Sequence, residues 1–263
     1  MRFDPQTGDC VEWRSGTNRT NCILFDARGR LHGCSATGRA IVRFEPDGST
    51  TVVADRVDGK RLNTPNDLAI DHGGRIWFSN PWNEPLLLPG MQMELQDESV
   101  MLATPSTDGT YAVRRATFDT TSPTGVLLSA DQRTLYVSQC DYGEDRIREL
   151  RAYPILADGT LGPYAVLHQF GRDFRGVHRA VDGMCLDANG NIVATAGYRK
   201  SGPGPMVYVF TPTGRILESH PVPVDRPTNC TFGDADLRTL YVTTGDGFLF
   251  RVRTGRQGWN LHP

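Results

Sequence analysis

One phrase recurs five times along this 263-residue chain, and a recurrence of that period leaves few folds open. Its fullest form runs Asn66-Asp67-Leu68-Ala69-Ile70-Asp71-His72-Gly73-Gly74-Arg75-Ile76-Trp77-Phe78-Ser79. The Asn-Asp start leads into a short apolar strand. An Asp-His-Gly-Gly turn then reverses the chain, and Ile, Trp and Phe suit the returning strand. Equivalent stretches begin at Asn21, Thr124, Asp182 and Asn229, so successive starts lie 45, 58, 58 and 47 residues apart. Periods of this size with several strands per repeat predict a β-propeller.

A second phrase alternates with the first, at Arg2-Phe3-Asp4-Pro5, Arg43-Phe44-Glu45-Pro46, Ala103-Thr104-Pro105, Ala152-Tyr153-Pro154 and Phe210-Thr211-Pro212. Each reads as the start of an outer hairpin, and an inner plus an outer hairpin makes one four-stranded blade. Counting them predicts an all-β, six-bladed propeller over residues 1–263, one domain, with its first and last blades incomplete. The chain opens on an outer hairpin, Phe3 to Trp13, without inner strands, and closes on a single outer strand, Phe248 to Arg253. The expectation is that the missing inner hairpin and closing strand lie upstream of Met1, or that the chain is a shortened form. Propellers close their rings to avoid exposed edges.

Composition narrows the function classes. A net charge of −2 with no long basic or acidic run gives nothing to steer the chain to nucleic acid or to an anionic membrane surface. There is no apolar run of about 18 residues and no export signal, so the cytoplasm is the default compartment. Six cysteines without a C-x-x-C pair fit neither a disulfide framework nor a zinc site; Cys22, Cys185 and Cys230 read as small packing residues. Oligomeric state is not legible in the sequence.

In a propeller, equivalent residues of the innermost strands ring the central channel. Here those positions hold Asn21, Asn66, Thr124, Asp182 and Asn229, a side-chain oxygen at every one. Convergent oxygens call for water, a ligand or a hard cation such as Ca2+ or Mg2+. Asn, Asp and Thr also start strands well by bonding their own backbone, and the repeat alone weighs the two readings equally.

The stretches Asn63-Thr64-Pro65-Asn66-Asp67, Pro123-Thr124-Gly125, Asp182-Gly183-Met184-Cys185-Leu186-Asp187 and Pro227-Thr228-Asn229-Cys230-Thr231-Phe232-Gly233, in that order, closely resemble the gluconolactonase/regucalcin family. The resemblance implies a six-bladed propeller and hydrolysis of a sugar lactone or similar small cyclic ester. It also implies one axial divalent cation, Ca2+ ahead of Mg2+, Mn2+ or Zn2+. It assigns Asn66, Thr124 and Asp182 to that cation and Asp67 and Asp182 to acid/base work. The cation polarises the ester carbonyl while a carboxylate takes a proton from the attacking water. Asn21 and Asn229, with the loop residues Arg175, His178 and Arg199, are the candidate substrate contacts. Two departures stand out: the inner strand of blade one that carries the family's glutamate ligand is absent, and Thr124 stands where the family has Asn. They leave a second reading open, a non-catalytic propeller that binds a small molecule or a protein and has a degenerate metal site.

Overall fold

A computed structural model describes residues 1–260 and 262. Five antiparallel sheets surround an axis. The first blade holds β3 (Thr20–Phe25), β4 (Leu31–Ser35), β5 (Ala40–Phe44) and β6 (Thr50–Ala54). It is preceded by a small hairpin of β1 (Arg2–Phe3) and β2 (Cys10–Val11) and followed by another, β7 (Arg56–Val57) with β8 (Lys60–Arg61). The second blade holds β9 (Leu68–Ile70), β10 (Ile76–Asn80), β11 (Ser99–Pro105) and β12 (Tyr111–Arg115). The third holds β13 (Pro123–Leu128), β14 (Thr134–Cys140), β15 (Arg148–Pro154) and β16 (Ala165–Gln169). A hairpin of β17 (Arg172–Asp173) and β18 (Gly176–Val177) leads into the fourth: β19 (Val181–Leu186), β20 (Ile192–Tyr198), β21 (Ser201–Phe210) and β22 (Ile216–Pro221). The fifth has three strands, β23 (Pro227–Gly233), β24 (Thr239–Thr244) and β25 (Leu249–Arg253).

The five inner hairpins begin where the repeat places them, but the described residues form five blades, not six. The segment from Phe3 to Trp13, counted as part of a sixth blade, forms only the two-residue strands β1 and β2, which pair with each other. An outer hairpin without inner strands has no ladder to extend, and two residues per strand fall below the usual strand length. The hairpin instead lodges beside the fifth blade, where Phe3 packs 6.0 Å from Tyr241 and Arg251 donates to the Pro5 carbonyl at 2.9 Å. The next residues reach the first blade, with Trp13 edge-on to Phe44.

Burial follows the same count. Four apolar clusters fill the seams between successive blades, centred on Ile41, Leu62 and Phe78; on Trp77, Leu102 and Leu135; on Leu150, Ile192 and Phe210; and on Val193, Val209 and Val242. Trp77 and Phe78 are neighbours on one strand, so they point to opposite faces and serve two different seams. The flanks on either side of the remaining gap stay open: Ile23 and Phe25 on β3, and Phe248 and Val252 around β25, are each more than half exposed.

The tight turns use local chemistry. In the turn after β9, Asp71 Oδ1 accepts the Arg75 amide at 2.9 Å while Gly74 takes φ +78°, a region open to glycine. Asp26 and Asp187 repeat the arrangement with the amides of Arg30 and Asn191. The connection between β10 and β11 contains a 3-10 turn, Glu84–Leu86, and buries Leu95 in the first seam.

Candidate active site

The ring positions share a local device. β3, β13 and β19 each break register where the oxygen-bearing residue falls, between Thr20 and Ile23, Pro123 and Val126, and Val181 and Met184, and β23 breaks just before Asn229, between Pro227 and Asn229. A bulge places an extra residue on one strand and re-aims its side chain, a common feature beside active sites. In β9 the same end is achieved by starting the regular strand after Asn66 and Asp67.

Contacts pass from each ring position to the next. Asn21 Nδ2 donates to the Asn66 carbonyl at 3.3 Å. Asp67 Oδ2 accepts the Val126 amide at 3.0 Å, and the Ser79 hydroxyl bonds the Thr124 carbonyl, so the second blade grips the third. Ser138 repeats the grip from the third blade to Val181 of the fourth. Gly125 and Gly183 permit the remaining approaches: a Cβ on Gly125 would stand 2.2 Å from the Asp182 carbonyl, and one on Gly183 2.2 Å from the Asn229 side chain. These residues are far apart in sequence and adjacent around one opening.

Asn66 and Asp67 are buried, while Asn21, Thr124, Asp182 and Asn229 keep accessible surface. Asp67 Oδ1 also accepts the Leu68 amide at 3.0 Å. Burial pushes its carboxyl up to about 6, against the hydrogen bonds from Cys22, Val126 and Leu68; the nearby charge of Asp182 adds to the rise. A cavity of about 820 Å³ runs inward from this level, lined by Asn21, Asp67 and Asn229 among apolar side chains such as Leu68, Val126 and Met184. Asn66, Thr124 and Asp182 are not among its lining residues. Cys185 and Cys230 also line it, their sulfurs 3.7 Å apart, and all six cysteines are free.

The Asp182 carboxylate already has a partner. Arg179, three residues earlier and 5% exposed, forms an ion pair with it, and its Nη1 donates to the Pro227 carbonyl at 2.9 Å. Its Nε donates to the Tyr142 hydroxyl at 3.2 Å. Burial pushes the Asp182 carboxyl upward and Arg179 opposes that push. The guanidinium, despite its own burial, is held charged by Asp182 with Cys140 and Tyr142 close by.

The oxygens expected to take a divalent cation were tested against this arrangement. Thr124 Oγ1 turns toward the Ser122 carbonyl at 3.5 Å, and among the described residues no three of His, Cys, Asp and Glu converge on a metal position. Asp182 is the single carboxylate of the set, and a dication on it would stand beside the guanidinium. At an effective dielectric near 20, two positive charges about 4 Å from one repel it by about 8 kcal/mol. The set in this arrangement does not fit a resident dication.

The other candidate contacts divide. Asn229 Oδ1 accepts the Cys230 amide at 2.8 Å and, like Asn21, stays on the ring. Arg175 pairs with Asp173 at 2.8 Å, and His178 lies 3.6 Å from the same carboxylate. Arg199 donates to the Pro223 carbonyl at 2.7 Å on a separate turn. Arg179 is not among the candidates named from the sequence; its i,i+3 spacing to Asp182 was the available signal.

Fold and mouth together define a class, a β-propeller that turns side-chain oxygens from successive blades onto one axial opening. Within that class the chain belongs to the SMP-30/Gluconolactonase/LRE-like family, whose pattern matches residues 1–246. It is 30% identical over 243 residues to the gluconolactonase of Zymomonas mobilis, covering 89% of this chain and 63% of that protein. A 6-deoxy-6-sulfogluconolactonase from Pseudomonas putida is 26% identical over 73% of this chain and 57% of its own length. The chain thus spans less than two thirds of these two relatives. The solved gluconolactonase of Xanthomonas campestris is 32% identical, with a TM-score of 0.73 over 90% of this chain and 72% of that one. The calcium-binding regucalcin of Agrobacterium tumefaciens, at 19% identity and TM-score 0.66, shares the fold. Among the described residues no helix is long and apolar enough to cross a membrane.

Proposed function

We propose that this chain hydrolyses a sugar lactone or a similar small cyclic ester at the axial mouth, with Asp67 as the general base. The observation that carries this reading is a buried carboxylate with its pKa lifted to about 6, set on the wall of a cavity of about 820 Å³ in a lactonase-family fold. The volume falls within the range of small-molecule sites, and the wall has their usual make-up, apolar with a few polar groups. The lactone ring packs on Leu68, Val126 and Met184, and its hydroxyls bond the Asn21 and Asn229 side chains. The Leu68 and Val126 amides and the Cys22 thiol take three of the four Asp67 lone pairs and leave one free. That one takes the proton from the water that attacks the ester carbonyl. The proton then passes to the ring oxygen as the C–O bond breaks, leaving a hydroxy acid. Burial keeps Asp67 a stronger base than an ordinary aspartate, and the charge of Asp182 adds to the effect.

The test is acid release from a simple aldonolactone in a pH-stat. A base with pKa near 6 must be ionised to act, so kcat/KM falls about tenfold per unit below pH 6 and levels above it. Asp67→Asn lowers kcat by roughly 10²-fold or more. A full rate in that variant, or a profile flat from pH 5 to 8, refutes the assignment. No acceleration over buffer by the parent chain favours the non-catalytic binding reading.

A further inference from the structure

We propose that the Arg179 guanidinium is the resident cation of the axial site, holding Asp182 in place and keeping divalent ions off it. Three separate parts of the ring fix the guanidinium. The Tyr142 hydroxyl comes from the loop after β14, the Gly197 carbonyl from the end of β20 and the Pro227 carbonyl from the start of β23. Asp182 completes the set from the start of β19. A planar fork of five N–H donors is suited to such a cradle, because its donors diverge in fixed directions toward several blades. These contacts occupy Nε and Nη1 and one hydrogen of Nη2, leaving one Nη2 hydrogen for a ligand oxygen.

The arrangement answers a question the ring poses. The Asp182 carboxylate favours positive charge beside it, and here the chain supplies that charge itself, from a position buried and tied into three blades. Thr124 is consistent with this, since its hydroxyl faces the Ser122 carbonyl just before β13. The ligand class that follows is an oxyanion: the ester oxygen as it gains charge, or the carboxylate of a hydroxy acid. Only this last step rests on the reading of the mouth as a lactone site.

Titration with Mn2+, read by electron paramagnetic resonance on the full chain, tests the proposal without any turnover. The parent and Asp182→Asn are expected to show the same weak, non-saturating uptake into the millimolar range. Arg179→Met frees the carboxylate and gains one site at least tenfold tighter, and Arg179→Met/Asp182→Asn loses that gain. One tight Mn2+ on the parent that Asp182→Asn abolishes overturns the proposal, as does an Arg179→Met variant that folds and gains nothing. Should Arg179→Met fail to fold, the parent against Asp182→Asn decides the matter by the same tenfold criterion. In a parent that turns over a lactone, chelator is expected to leave the rate unchanged; a loss restored by Mn2+ also overturns it. A parent with no turnover leaves the titration standing, so a failed lactone reading and a failed Arg179 reading remain distinct.

Discussion

Replacing Gly125 with alanine tests how closely the inner strands must meet. The new Cβ would stand 2.2 Å from the Asp182 carbonyl oxygen and 3.1 Å from Met184 Cε. The methionine tip can swing aside. The carbonyl belongs to the backbone of β19 and cannot. Restoring an ordinary contact requires β13 and β19 to part by roughly 1 Å, an overpacking strain of about 1–3 kcal/mol. For a chain of this size that lowers Tm by roughly 2–12 °C. The strain falls on the residue after Thr124 and on Asp182 itself, so lactone hydrolysis is expected to fall by more than the melting curve alone explains. Gly171→Ala is the control, since a Cβ there meets nothing within 4 Å. Thermal unfolding followed by circular dichroism, with turnover measured well below Tm, gives both numbers. A Gly125→Ala protein that melts within a degree of the parent and keeps its rate would show that the channel is wider than described.

Asp67 also links stability to pH. Its carboxyl rises from 3.8 unfolded to about 6 folded, so the folded state binds the proton more tightly and stability from this group falls as pH rises through that window. The loss is about 3 kcal/mol in all, and urea unfolding at pH 4 and pH 7 should show Asp67→Asn gaining by that order relative to the parent; a pH-independent difference contradicts it. Ser138→Ala removes a buried hydroxyl that joins the third blade to the Val181 carbonyl of the fourth, and is expected to cost about 1–3 kcal/mol. An unchanged denaturation midpoint would mean that the grip contributes nothing.

Much of the fold was legible because repetition is a strong signal. Five phrases with the same oxygen-then-apolar start located all five inner hairpins, and Asp71 with Gly74 announced its turn. The blade count failed at the N-terminus because Arg2-Phe3-Asp4-Pro5 carries the outer-hairpin phrase without inner strands to pair with. Phrase and ladder are separable, and only pairing makes a blade. At the mouth, Asn21, Asp182 and Asn229 could be named from the repeat, and Asp67 from the family resemblance. Arg179 could not be placed, because its burial depends on Tyr142, Gly197 and Pro227, which lie far away in sequence. Arg175 and Arg199 looked alike as loop charges, yet Arg175 is held by Asp173 on its own turn and Arg199 by the Pro223 carbonyl of the connection between β22 and β23.

Whether side chains from separate blades face one ligand can be read directly by nuclear magnetic resonance. An aldonate, the hydroxy acid of the proposed reaction, is titrated into 15N-labelled protein. The side-chain amides of Asn21 and Asn229 and the backbone amide of Val126 are predicted to shift together along one saturation curve. Shifts confined to the turns carrying Arg175 and Arg199, or three signals that stay still at saturating aldonate, would contradict a shared axial site.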